Sequence, residues 1–385
     1  MKELVKSVKE NIGRYTMILV ALFIVIVFQI LTKGMVLKPM NLNNLIIQNA
    51  YIIILAVGQM MLVLAGGLTD LSVGQLCSMS GCIAGLLIIK NGLPVGLSLL
   101  IDFLIVLAVG LWNASLVASL GIEAYIATLA SQLIVKGVNY VVMQGKTYTM
   151  FPDSFLNWCT GHIPDFFGVK GLHVTSLILG TLTCLVVVIL QLRSRKQKIA
   201  YNVKVSSAGL FWAQQALICG FIMGLTYLLA IYRGYPKILV IVVVIVAIYS
   251  FIVSKTIFGR QVVAVGGNRQ AAVLSGIKDK KVIFLIYLNS ALTAGFSGII
   301  YAARLNACSL SIGLGLEADA ICACFIGGGV SNGSIVGSLI GALVIGLLNN
   351  GMSLLGLGSD MQMVMKGLVL VFAVSLDIFQ SRRSA

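Results

Sequence analysis

The chain is 385 residues long, 59% hydrophobic and only 10% charged, with a mean hydropathy of +1.04, far from the averages of soluble domains. That composition excludes a water-soluble enzyme or binding module. The formal charge of +15 does not call for nucleic acid, because the basic residues form no single patch. Apolar runs recur along the whole length, and about 20 such residues, at 1.5 Å rise, cross a hydrocarbon core of ~30 Å. The sequence therefore predicts an all-α, polytopic transmembrane helical bundle, one membrane domain over 1–385, with no room for a separate soluble domain.

Twelve spans are predicted, at 15–31, 45–65, 71–89, 95–120, 124–143, 172–192, 208–232, 238–253, 282–303, 318–330, 334–349 and 361–379. The stretch 318–330 is short, so it either completes a crossing or forms a re-entrant half-helix paired with 334–349. With the amino terminus inside, the inner segments collect 17 of the 27 Lys and Arg, against eight on outer segments and two within spans. The positive-inside rule then puts both termini in the cytoplasm. The first span follows a basic start, yet Leu-Thr-Lys-Gly succeeds it where a cleavage site would need small residues, so it reads as an uncleaved anchor.

Between the second and third spans, AGGLTDLSVG at 65–74 breaks the apolar pattern. The glycines let the backbone leave the helix, and Thr69, Asp70 and Ser72 supply caps to restart it. Either this is a capped turn at the membrane surface, or a broken helix whose freed backbone groups line a watery path. A later stretch has the same character: Glu317 and Asp319 precede a short apolar helix, and Gly327-Gly328-Gly329 break the chain. Overlaying GGLTDLSV (66–73) on GGVSNGSI (328–335) suggests an internal duplication.

Asp102 and Lys136 are ionisable residues inside the fourth and fifth spans. Each costs about 2.5–3.5 kcal/mol at a helix centre on insertion scales, and their similar depth on antiparallel neighbours predicts an ion pair. The 145–171 segment is extracellular on this topology. It carries Phe151, Phe155, Trp158, Phe166 and Phe167 and reads as a lid over helix ends or as a docking surface. Gly145-Lys146-Thr147 imitates a phosphate loop, but Tyr140 stands where the pattern needs glycine and no strand precedes it. Asn113-Ala114-Ser115 lies inside a span, which rules it out as a glycosylation acceptor. Eight scattered cysteines and two histidines give no metal-ligand spacing and no disulfide framework. No nucleophile–base set stands out.

The cytoplasmic stretch 258–281, FGRQVVAVGGNRQAAVLSGIKDKK, carries Arg260, Arg269, Lys278, Lys280 and Lys281. Gly266-Gly267 interrupt it, Asn268 offers an N-cap, Ala271-Ala272-Val273-Leu274 form a body and Gly276 a stop. A helix of about two turns is not stable alone in water; it suits being gripped by a partner.

These residues resemble the permease subunits of bacterial ABC importers for simple sugars, the ribose, xylose and galactose group. The resemblance runs from about Asn41 onward. Its motifs are GGLTDLSVG at 66–74, AYIATLASQLIVKG at 124–137, GRQVVAVGGNRQAAVLSGIK at 259–278, EADAICACFIGGG at 317–329 and GSLIGALVIGLLNNGMSLLG at 337–356. An additional pair of spans between roughly 145 and 253 places it nearest the xylose and multiple-monosaccharide branch. Thr69, Gln270 and Ala318 depart from the residues usual in the family, which bears on the substrate.

The resemblance implies a homodimer in the bacterial inner membrane that is not itself an enzyme. Its partners would be a cytoplasmic tandem-domain ATPase, which holds the ATP, and an extracellular sugar-binding protein. This chain would bind no cofactor and no metal. ATPase coupling would fall to Gly266, Gly267, Asn268, Gln270, Ala271, Ala272 and Gly276. The substrate pathway would involve Asn49, Asp70, Ser72, Glu317, Asp319, Asn349 and Asn350. A nucleoside or signalling-sugar cargo and an ion-driven secondary transporter are the alternative readings.

Overall fold

In the computed structural model, residues 12–168, 171–202, 205 and 207–384 are described; the amino-terminal basic residues Lys2, Lys6 and Lys9 lie outside them. The helices are α1 (Ile12–Leu31), α2 (Pro39–Leu64), α3 (Val73–Gly85, prolonged as a π-helix to Lys90), α4 (Val95–Ala114, prolonged likewise to Ser119) and α5 (Ala124–Met143). A two-residue strand β1 (Tyr148–Thr149) and a short α6 (Asp153–Cys159) follow. Next come α7 (Val174–Ala200), α8 (Ala208–Tyr232), α9 (Lys237–Lys255), α10 (Ile257–Gly267), α11 (Arg269–Leu274) and α12 (Asp279–Leu305). The chain closes with β2 (Ala307–Cys308), α13 (Leu316–Ile326), α14 (Gly329–Asn332), α15 (Ile335–Leu354) and α16 (Ser359–Ser384).

Among the described residues, nine helices are long and apolar enough to cross a membrane. The stretch expected at 318–330 is not one of them. Helix α13 has 11 residues, about 16 Å of rise, half of a crossing. The chain reaches it through residues 306–315, which hold only a two-residue strand and turns.

Helix α2 forms the centre: 83% of its most apolar window is inside the protein, against 11% for α9. It lies antiparallel to α12, with Tyr51 stacked on Tyr301 at 4.1 Å between ring centroids and Gly58 against Thr293. Gly58 permits that approach, because a Cβ there would overlap the Thr293 side chain. After each of these two helices the chain leaves helical geometry and restarts as a helix beside the other. Helix α3 runs along α12, with Ser80 on Gly295 and Gly81 on Ala302. Helix α13 runs along α2, with the Cys324 thiol on the Ala56 carbonyl.

The two breaks meet at Gly74 and Gly313. A Cβ on Gly74 would collide with the Gly313 carbonyl and with Glu317, four residues further on. A Cβ on Gly313 would collide with the Gly74 carbonyl and crowd Ser78, again four residues on. Such reciprocity is what a local two-fold axis produces, and inverted repeats of this kind are a recurrent transporter design. It relates Leu71-Ser72-Val73-Gly74 to Leu310-Ser311-Ile312-Gly313. This contact pairs the 71–74 stretch with 310–313, where the sequence overlay sets the glycine run 66–73 on 328–335. Those two glycine runs are nonetheless neighbours, since a Cβ on Gly67 would lie 3.3 Å from Val330.

Helices α7 and α8 pack on each other through Gly180 and Thr226 and keep most of their surface outward. Lateral position suits an added hairpin, because an apolar face against lipid needs no protein partner.

Candidate functional site

Helices α10 and α11 lie at one end of α12, and the 145–171 segment lies at the other. That separation is 27 residues, about 40 Å of helix.

At the first end, Thr256 caps α10 by accepting from Gly259 N, and Asn268 Oδ1 accepts from Ala271 N at 3.0 Å, as its sequence position predicts. Gly266 and Gly267 do not break the chain; α10 runs through both. Gly266 is needed for contact, since a Cβ there would overlap the Leu64 carbonyl at the end of α2. Gly276 (φ +86°) ends the motif, and Arg269 closes it on Asp279 at 2.7 Å. Asn268, Gln270 and Ala271 face outward, but Ala272 is buried against its own chain. The apolar surface offered instead is Leu274, 90% exposed, with Val273 beside it. The sequence reading missed Leu274 because a six-residue helix gives too little periodicity to orient its faces.

Above this motif stands the α2–α3 break. Asp70 is fully buried; its Oδ1 accepts from Ser72 N and Ser72 Oγ, and its Oδ2 from Ser290 Oγ on α12 at 3.0 Å. Asn113 on α4 donates to Ser72 Oγ, and the Tyr287 hydroxyl donates to the Thr69 carbonyl. Asp70 and Ser72 thus have their hydrogen bonds within the chain. They fasten the break to α4 and α12.

The expected Asp102–Lys136 ion pair is absent. Asp102 is fully buried, with Ser80 Oγ 2.6 Å from its Oδ2, while Lys136 is exposed. The reason is the direction of Lys136. The buried stripe of α5 is Ala124, Ala127, Thr128, Ser131, Val135, Asn139 and Met143; Lys136 follows Val135 and falls about 100° off it. The intramembrane pair is instead Lys366 Nζ on Asp319 Oδ2 at 2.9 Å, joined by Asn349 at 3.4 Å. Lys366 was legible as a charge in the last span and was not singled out.

The remaining proposed pathway residues divide. Asn350 is buried, bonded to Asn41 and Gln48. Asn49 is buried against Gly346, and neither amide atom has a partner among the described residues. Glu317 is half-buried and accepts from Gln132 at 3.4 Å. Beside this group opens a cleft of about 380 Å³, which the sequence did not reveal. It is lined by Asn43, Asn44, Gln48, His162, Arg233 and Arg304, among others. His162 holds Asn43 at 3.0 Å. Partial burial, with Arg233 nearby, lowers the His162 pKa from its usual 6.5. The 145–171 segment forms a wall of this cleft. Phe151 and Phe155 stack inward at 4.4 Å between centroids, β1 pairs with β2, and Trp158, Phe166 and Phe167 stay exposed. Among the described residues, no cluster of His, Cys, Asp or Glu has metal-binding geometry.

Residues 41–374 match a family model described as the permease component of a branched-chain amino acid transport system. The xylose transport system permease protein XylH of Haemophilus influenzae is 32% identical over 97% of this chain and 98% of its own length. XylH of Escherichia coli is 31% identical over 97% and 94%. The ribose import permease protein RbsC of Bacillus subtilis is 30% identical over 96% and 94%. No solved structure matches. The chain belongs to this family of transport-system permease components, and its relatives include bacterial permeases named for xylose and ribose.

Proposed function

We propose that this chain is the membrane-spanning subunit of an ATP-driven importer of monosaccharides of the xylose, galactose, glucose or arabinose type, working in the bacterial inner membrane as a homodimer. The observation that carries this reading is the capped helix α11, with Leu274 exposed, seated beside the end of α2 and its break. A cytoplasmic ATPase that grips α11 moves Gly266 against Leu64, and through it the break that Asp70 fastens to α4 and α12. A two-state element at that position couples nucleotide binding to opening at the far end of α12. ATP is held by the ATPase, and no catalytic residue is assigned to this chain. An extracellular sugar-binding protein delivers cargo at the end that carries the cleft, where amides and hydroxyls supply hydrogen bonds to sugar hydroxyls.

The test is uptake of labelled xylose, ribose, galactose, glucose, arabinose and branched-chain amino acids by cells with and without this chain. Loss of monosaccharide uptake alone supports the reading. Loss of amino acid uptake with sugar uptake intact contradicts it.

A further inference from the structure

The hairpin of α7 and α8 is fastened at one end and bare at the other. Thr175, in the first turn of α7, donates to Asp165 of the 145–171 segment at 2.7 Å, so the far end of α7 lies with α10 and α11. The 19 residues from Val174 to Leu192 carry no charge and rise about 28 Å, close to the ~30 Å of a hydrocarbon core. The rest of the helix, Arg193–Ala200, continues about 12 Å further, to the level of lipid headgroups. Arg193, Arg195, Lys196 and Lys198 stand there, and no acidic residue occurs between Asp165 and Asp279. Arg193, Lys196 and Lys198 are exposed and have no ion-pair partner among the described residues. The Arg195 guanidinium lies 4.7 Å over the Phe211 ring of α8, and Trp212 meets that ring edge-on. Trp212 is itself exposed, as aromatic residues at a membrane interface are.

The geometry points to this end of the α7–α8 hairpin as a binding site for anionic phospholipid headgroups, whose phosphates pair with Arg193, Arg195, Lys196 and Lys198. Arg193 and Lys196 share one face of α7, one turn apart. Lys198 falls about 140° round from Arg193. A folded protein that grips α7 covers one face and leaves the other cations bare. A leaflet surrounds the helix, and its phosphates reach every side of it. Clusters of four or more basic residues next to a membrane helix attract anionic lipid additively, and an arginine fork takes two phosphate oxygens at once. The position fits lipid too, since α7 packs on α8 and keeps most of its surface outward. Because α8 packs in turn on α2, headgroups that fix the depth of the hairpin also brace the central helix.

The site does not depend on the cargo. With Trp112→Phe and Trp158→Phe, Trp212 is the one tryptophan left. The purified chain is reconstituted in phosphatidylcholine bilayers that carry brominated phosphatidylglycerol or brominated phosphatidylcholine, and bromine quenches a tryptophan it touches. Phosphatidylglycerol should be preferred beside Trp212 by about fivefold or more, and 1 M salt, which shortens screening to about 3 Å, should remove most of that preference. Arg193→Gln/Lys196→Gln/Lys198→Gln, at three exposed positions, should bring the preference close to one in a folded chain; Arg195 is kept because it packs on Phe211. Lys255→Gln, an exposed cation at the same end of α9, should retain it. Equal quenching by the two lipids in the parent, an undiminished preference in the triple variant, or an equal loss with Lys255→Gln overturns the site. Equal quenching in the parent, together with lost ATPase co-purification in the triple variant, assigns the cations to the protein partner and leaves the importer reading untouched.

Discussion

Gly74 and Gly313 pack backbone to backbone, each occupying the space a Cβ on the other would need. They mark the point where the two helical breaks cross. Other glycines have open space, Gly137 among them. Gly74→Ala and Gly313→Ala should therefore each remove most folded protein, as overpacking at a backbone contact costs about 1–3 kcal/mol or more. Gly137→Ala, at an open helical position, should be neutral or slightly stabilising. Thermal unfolding in detergent, followed by size-exclusion chromatography, distinguishes the two classes.

Asp319, buried, and Lys366, partly exposed, form the ion pair that Asp102 and Lys136 do not. Removing one member strands the other, so Asp319→Asn or Lys366→Met alone should destabilise by about 3–5 kcal/mol, and the double variant by much less. Asp102→Asn should be mild by comparison. Ser80 Oγ has one proton and faces both Asp102 Oδ2 and the Gly295 carbonyl, an arrangement that an amide donating to Ser80 completes. Chemical denaturation of the four variants and the parent measures these differences. Additive single effects in the Asp319–Lys366 cycle would remove the pairing.

These cases show what the sequence discloses. Helix existence was legible because runs of membrane length need no periodicity argument, and nine predicted spans from 45–65 to 334–349, all but 318–330, correspond to long helices. The cap at Asn268 also follows from local chemistry, and it accepts from the backbone three residues on. Side-chain direction was not legible. The buried stripe of α5 includes Thr128, Ser131 and Asn139 while Leu133, Ile134 and Val138 face outward, the reverse of a soluble helix, and α11 is too short to orient its faces, so Lys136 and Ala272 were each given the wrong face. The cleft escaped notice because residues 43–48, 162, 233 and 304 converge only through tertiary contacts.

Leu274 and Ala272 separate docking from folding. Leu274→Asp should leave the chain folded in the membrane, yet lower ATP-driven uptake by tenfold or more, because it changes only exposed surface. Ala272→Asp places a carboxylate at a buried position and should lower the amount of folded chain instead. Membrane level and uptake, measured together, test both statements. Normal uptake with Leu274→Asp would remove α11 as the gripping element.

His162 makes the cleft end sensitive to acid. Its folded pKa lies below the unfolded value of 6.5, so its contribution to stability is fully present above pH 6.5. That contribution is lost as pH falls through the folded pKa, when a charged imidazolium faces Arg233. Local protection of residues 160–163 against hydrogen exchange should drop between pH 7.5 and 5.5 in the parent, and His162→Gln should flatten that dependence. An identical loss in the variant assigns the effect to another group.

The central claim is that nucleotide-driven motion of α10–α11 moves sugar along this chain. The most direct measurement is uptake of a labelled monosaccharide into proteoliposomes that contain this chain with the ATPase and the sugar-binding protein proposed for it, with ATP supplied on the ATPase side. Accumulation that requires ATP, survives collapse of ion gradients and disappears with Leu274→Asp is the predicted result. Accumulation by this chain alone, driven by a proton or sodium gradient without the ATPase, would contradict it.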